Sequence, residues 1–147
     1  MEKLQFTVNI NAPKEKVWDV LWNEATYGKW TAPFCEGSYV ITDWKEGSKA
    51  LFLSPKGEGM VSRIEENRPN KFMSIKHLGM VKDGVEDTEN EQVKAWAGGL
   101  ENYTLHEEGD ITILTVEMDA TDDFKKYMSD TFPPALELVK LLSEKSG

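Results

Sequence analysis

From Gly37 to Met118 the chain is a succession of short apolar runs cut by turn residues, and after Ala120 it becomes one long segment with apolar residues at three- and four-residue steps. The first pattern belongs to a meander of antiparallel strands, the second to an amphipathic helix. Each leaves one apolar face that must be covered, so the economical packing lays the terminal helix along the concave side of a curled sheet. Strands are expected near residues 37–43, 49–54, 59–66, 71–79, 98–107 and 110–119. The turns between them are Lys45-Glu46-Gly47, Ser54-Pro55-Lys56-Gly57, Asn67-Arg68-Pro69-Asn70 and Glu107-Glu108-Gly109-Asp110. In the terminal segment Phe124, Tyr127, Met128, Phe132, Ala135, Leu136, Val139 and Leu142 form the apolar stripe, with Asp122 as its cap. Pro133-Pro134 removes two backbone donors from the middle of that stripe, which predicts either a kink or a split into two helices.

The chain before the meander adds one strand and two short helices. Leu4, Phe6, Val8 and Ile10 alternate with Gln5, Thr7 and Asn9, as a half-buried strand requires. Asn11-Ala12-Pro13 reads as a helix start with proline at the first helical position, followed by the apolar Val17, Trp18, Leu21 and Trp22. Tyr27 and Trp30 mark a second short helix over residues 24–30, weakened by Gly28 and ended before Pro33. Helices on one face of an antiparallel sheet define the α+β class, and 147 residues suit one domain spanning 1–147. Residues Val81 to Lys94 carry Asp83, Glu86, Asp87, Glu89 and Glu91 with few apolar side chains. They are expected as a solvated loop with room for a short helix, serving either as a lid or as a plain connector.

Charge and cysteine usage narrow the function classes. With 26 Asp+Glu against 17 Lys+Arg, the net charge of -9 disfavours a surface that attracts nucleic-acid phosphates or anionic lipid headgroups. Cys35 is the only cysteine, so neither an intramolecular disulfide nor a cysteine-based zinc cage can form, which fits a reducing compartment. Two histidines, His77 and His106, do not make a histidine-rich metal site. Met1 to Leu4 lack the apolar run of a signal peptide, and no stretch reaches the ~18 apolar residues of a membrane span. The expectation is a soluble cytoplasmic protein with no nucleic-acid partner, no membrane insertion, no metal and no cofactor, as a monomer or homodimer. Phosphate loops, nucleophile elbows and paired histidines are missing from the sequence, and Cys35 sits beside Glu36 with no identifiable base. No residue is therefore assigned a catalytic role.

A sheet bent around a helix matches the helix over only part of its length, so a residual cavity is expected between them, and such apolar hollows are where small ligands bind. Trp18, Trp22, Trp30, Phe34, Phe52, Trp96, Tyr103, Phe124, Tyr127, Met128 and Phe132 would line it, together with the adaptable Met60, Met73 and Met118. Any one of these taken alone is more simply an ordinary core residue, and it is their number together that points to a cavity. Met73, Ile75 and His77 share one strand parity while Ser74 and Lys76 share the other. If the lysine faces solvent, His77 faces inward, as a ligand-orienting or proton-transferring group or as a satisfied core histidine. Glu101 shares a face with Tyr103 and Leu105, where a carboxylate needs hydrogen-bond partners unless it lies at the strand's wet end. Arg63 pairs with Glu101 if it too points inward, but the Gly57-Glu58-Gly59 entry permits a bulge that would change its side.

The segments VNINAPKEKVWDVL, YGKW, WKEGSKALFL, GEGMVSRIEENRPNKF, YTLHEEGDITILTVEM and LELVKLL occur in that order along nearly the whole chain. In this order and spacing the chain resembles the START-related SRPBCC superfamily, in the branch named for an activator of the ninety-kilodalton heat-shock chaperone's ATPase. The resemblance implies a helix-grip fold of START and Bet v-like type, and commonly a pocket for a hydrophobic or polycyclic ligand. It does not imply one activity, since members include lipid carriers, hormone receptors, cyclases, aromatase-like enzymes and chaperone cofactors. Chaperone-activating members carry a further N-terminal domain that has no counterpart in these residues. The family's usual tryptophan near the start of the terminal helix is replaced around Phe132-Pro133-Pro134, which should reshape that end of the pocket. The leading expectation is non-catalytic binding of a hydrophobic, lipid-like or polycyclic aromatic small molecule. The alternatives are an enzyme acting on an aromatic or polyketide-like substrate through Glu101, His77 or Tyr103, and an interaction module with a chaperone partner.

Overall fold

The alternation between Leu4 and Ile10 is the inner part of strand β1 (Glu2–Ile10) in the computed structural model, which describes residues 2–145. Helices α1 (Lys14–Trp22) and α2 (Glu24–Trp30) follow, then strands β2 (Tyr39–Ile41), β3 (Lys49–Leu53), β4 (Gly59–Arg68), β5 (Phe72–Lys82) and β6 (Val85–Asp87). A one-turn helix α3 (Glu91–Lys94) leads to β7 (Leu100–Glu108), β8 (Ile111–Ala120) and the terminal helix α4 (Asp122–Glu144). Every strand pair is antiparallel, in the order β1-β8-β7-β5-β4-β3-β2, with β6 pairing the end of β5. Two register shifts in the β4–β5 pair, at Val61/Ser62 and Ile64/Glu66, add local twist and help curl the sheet.

The concave face is filled mainly at the β1–β8 end. There Leu114, Val116, Met118 and Ala120 of β8 alternate inward, and α4 covers them with Phe132, Ala135, Leu136 and Val139. Phe6 of β1 stacks on Phe132 with ring centroids 5.0 Å apart, a direct link from the first strand to the last helix. Trp30 closes the α1–α2 corner: it is 2% exposed, and its Nε1 donates to the Leu21 carbonyl at 3.0 Å. Asn23 caps α2 by accepting from the Ala25 amide at 2.9 Å.

Four expectations are corrected. Pro13 is the N-cap of α1 with extended backbone rather than its first helical residue, and Thr121 rather than Asp122 occupies that position at α4. Of the two outcomes expected at Pro133-Pro134, the split does not occur: the terminal helix runs through both prolines. The carbonyls they leave without donors belong to Ser129 and Asp130, which are exposed, so water can replace the lost bonds. Lastly, residues 81–94 are largely exposed and include the short helix allowed for, but they are not a loop. Asp83 and Gly84 both have positive φ, 53° and 78°, the geometry of a tight two-residue hairpin, and β6 folds back onto β5. Asn90 caps α3 and Val93 is fully buried, while Glu86 pairs with Lys49 at 2.8 Å. A Cβ on Gly79 would stand 2.3 Å from the Asp87 carbonyl oxygen, so only glycine admits this close return.

Burial separates two aromatic substitutions that look alike in sequence. Trp30→Ala is expected to lower unfolding stability by about 3–5 kcal/mol. Phe124→Ala, at a side chain 48% exposed, should stay within about 0.5 kcal/mol of the parent in urea titrations.

Candidate ligand cavity

Because α4 lies against β1 and β8, the middle of the curled sheet is left partly uncovered, and a cavity of about 270 Å³ remains there. Its sheet wall is Phe52 of β3, Met60 of β4, Ile75 and His77 of β5, and Glu101 and Tyr103 of β7. Opposite stand Trp22 of α1, Tyr27 and Trp30 of α2, Phe34 from the connection after α2, and Tyr127, Met128 and Phe132 of α4. Phe34 packs edge-on against both Phe132 and Tyr127, and the Tyr127 hydroxyl donates to the Phe34 carbonyl at 3.0 Å. These contacts hold the outer turns of α4 over one side of the hollow.

Six residues expected at the cavity lie elsewhere. Met73 and Met118 are solid core, beside Tyr103 and Glu101 in the sheet register. Trp18 is half-buried and packs edge-on behind Trp22 at 6.0 Å. Phe124 is exposed one turn too early on α4, and Trp96 sits in the turn after α3. Arg63 does not meet Glu101. The register shift beside Ser62 leaves Ser62 inward and Arg63 exposed, and its Nε donates to Glu65 at 2.6 Å. The lid reading of residues 81–94 also fails, since none of them reaches the cavity wall. Sequence reasoning missed Tyr27, whose position one helical turn before Trp30 was the available signal. It also missed the mouth: Thr31, Cys35, Ser38, Tyr39, Leu53, Ser54, Glu58 and Gly59. Most of these come from turns that the β2–β3–β4 pairing brings together, which no local pattern announces.

On the sheet side of the wall the polar groups form a hydrogen-bonded chain. Ser62 Oγ meets His77 Nδ1 at 2.8 Å, His77 Nε2 meets Glu101 Oε1 at 3.1 Å, and the Tyr103 hydroxyl donates to Glu101 Oε2. An ionised carboxylate can only accept, so His77 carries its hydrogen on Nε2, and in the neutral ring Nδ1 accepts from Ser62. Burial pushes the Glu101 carboxyl upward, but the hydrogen bond and charge of His77 and the Tyr103 phenol outweigh it and hold the carboxyl below its ordinary 4.5. Burial and the Glu101 charge drive the Tyr103 phenol well above 10.0, and the same two causes raise Tyr27. At neutral pH the wall therefore presents an anion among protonated phenols.

The order serine–histidine–carboxylate resembles a nucleophilic triad, but the serine is on the wrong side. Ser62 is 0% exposed and lies behind the His77 ring, away from the cavity, so it orients the imidazole and cannot attack a ligand. What faces the hollow can accept hydrogen bonds, hold a positive group, or exchange a proton with a guest. Trp22, also in the wall, has its Nε1 buried without a partner in the protein, a donor that burial makes costly to leave idle. Among the described residues no group of three His, Cys, Asp or Glu side chains is placed to hold a metal, and no helix is long and apolar enough to cross a membrane.

Because the Glu101 pKa is depressed in the folded state, its contribution to stability is present above about pH 4.5 and is lost as pH falls through the lower folded value. Glu101→Gln should thus melt below the parent at pH 7, with the gap closing as pH drops toward 3. A gap independent of pH would show that the charge of Glu101 contributes nothing. Long-range proton–nitrogen correlation spectra should show His77 as the Nε2–H tautomer or fully protonated.

No family model and no curated protein matches the chain. Solved structures do. The Aha1 dimer from Colwellia psychrerythraea superposes with a TM-score of 0.74 at 18% identity, over 98% of this chain and 97% of that one. CalU16 from Micromonospora echinospora gives 0.67 at 17% identity over 96% of this chain and 75% of its own. DynU16, from the dynemicin biosynthetic locus, gives 0.71 at 12% identity, and there the 96% of this chain that aligns spans only 46% of the other protein. At the level of fold the chain is a helix-grip protein, a curled antiparallel sheet closed on a long terminal helix, with the Aha1, CalU16 and DynU16 structures among its structural neighbours.

Proposed function

We propose that this protein binds a hydrophobic or aromatic small molecule, without transforming it, in the cavity between the sheet and helices α2 and α4. The observation that carries this reading is the cavity itself: about 270 Å³ walled mostly by aromatic and aliphatic side chains, with a hydrogen-bonded polar group at Glu101, His77 and Tyr103. A mostly apolar hollow with a few convergent polar groups is what orientation-specific small-molecule recognition requires. The setting of DynU16 in the dynemicin biosynthetic locus accords with a small-molecule role for this fold.

A second reading, an enzyme acting on an aromatic or polyketide-like substrate, draws support from the same polar region. Glu101, His77 and Tyr103 all border the cavity and are hydrogen-bonded in series, so a proton can be taken up or delivered there. The chaperone-module reading rests on a likeness of fold, which hosts many activities. The Aha1 structure is that of a dimer, which accords with a homodimer here.

A panel of aromatic and lipid-like compounds tests the binding reading. A ligand held at 100 times its Kd should raise the melting temperature by roughly 5–10 °C and quench tryptophan fluorescence. Ile75→Phe, which fills the cavity from its sheet wall at about 1–3 kcal/mol of overpacking, should weaken that ligand at least about tenfold. Silence across a chemically diverse panel, or undiminished binding to the filled variant, counts against the site. Turnover of any bound compound would favour the enzyme instead.

A further inference from the structure

The charge of the cavity wall narrows the ligand class, on the reading that the cavity is a binding site. Among the described residues that line it there is no lysine and no arginine, while two carboxylates, Glu58 and Glu101, are present. Glu58 is exposed at the mouth, whereas the Glu101 side chain is only 18% exposed and belongs to the wall. The cavity that holds this carboxylate is lined by aromatic rings: Trp22, Tyr27, Trp30, Phe34, Phe52 and Phe132. Rings present negative faces, so an aromatic hollow containing an anion attracts positive charge on two counts.

The other ligand classes fare worse. A fatty acid or other carboxylate placed here would face Glu101 with no cation on the wall to offset it, at a short distance and in a partly desolvated space. A neutral hydroxyl can donate to Glu101 but gains neither the Coulomb term nor the attraction of the rings. The carboxylate has capacity to spare. His77 takes one lone pair of Oε1 and Tyr103 one of Oε2, leaving about one on each oxygen for a guest. The net charge of -9 on the chain favours the approach of cations. We propose that the cavity selects small apolar or aromatic molecules that carry a cationic nitrogen, with Glu101 as the counter-charge and the surrounding rings as its cage. At about 270 Å³ the hollow suits a compact amine rather than a long acyl chain.

Three isosteric probes test this by calorimetry at pH 7 on the wild-type protein: 2-naphthylmethylammonium, 2-naphthylmethanol and 2-naphthoate. The ammonium should bind about tenfold more tightly than the alcohol, and the carboxylate most weakly. Glu101→Gln should bring ammonium and alcohol within about twofold of each other, while Glu58→Gln at the mouth leaves most of the difference in place. If Glu101→Gln does not fold, the carboxyl carbon-13 shift of Glu101 in the wild-type protein serves instead, moving on titration with the ammonium and far less with the alcohol. Equal affinity for all three probes, as an imidazolium at His77 cancelling Glu101 would give, overturns the charge selection and leaves the cavity reading intact. Tightest binding of the carboxylate overturns it too. Binding of none of the three removes the proposal together with the reading beneath it.

Discussion

The position of Phe132 decides where the terminal helix stops being core and becomes a roof. Its ring is stacked on Phe6 of the first strand and met edge-on by Phe34, and it is 2% exposed. From Thr131 onward the helix turns buried side chains toward the sheet, at Ala135, Leu136, Val139 and Ser143, and that half is held by ordinary apolar burial. Before Thr131 every side chain of the helix except Met128 is exposed, and the contacts are few: Lys125 with Glu2, and Tyr127 with the Phe34 carbonyl. The cavity exists because the firmly seated half lies at one end of the sheet and only the lightly seated half reaches over the middle.

The polar region of the wall depends on the same sheet that makes the cavity. Cross-strand register sets Ile75 opposite Glu101 and Ser62 opposite His77, so three strands each supply one link of the chain from Ser62 to Glu101. Burying a carboxylate is unfavourable unless donors meet it, and here a histidine and a phenol do so from fixed strand positions. The wall is thus preorganised: its carboxylate is held ionised and oriented by the protein itself.

Period-2 and period-3.6 patterns made most of the fold legible in the sequence. The alternation of β1, the stripe of α1 and the parity of His77 and Glu101 are local, and local rules suffice for them. The failures were of two kinds. In residues 81–94 the acidic composition outweighed an Asp-Gly pair that is itself a hairpin signal, so a local cue was present and underweighted. Arg63 failed for a different reason: a register shift is a property of the β4–β5 pair, and single-strand parity cannot contain it. The mouth residues belong to that second kind, being assembled by pairing between strands. Pro133-Pro134 passes through the helix because the carbonyls it strands face water, which depends on the helix's final orientation and not on the prolines themselves.

Those two prolines also affect how disorder can spread. A helix ladder normally transmits fraying from its end inward, one rung after another. Here two consecutive rungs are missing where the exposed turns join the buried ones, so the ladder has a firebreak. Loosening of Asp122 to Asp130 can run to that gap and stop, leaving Ala135 to Ser143 seated on the sheet and the global fold undisturbed.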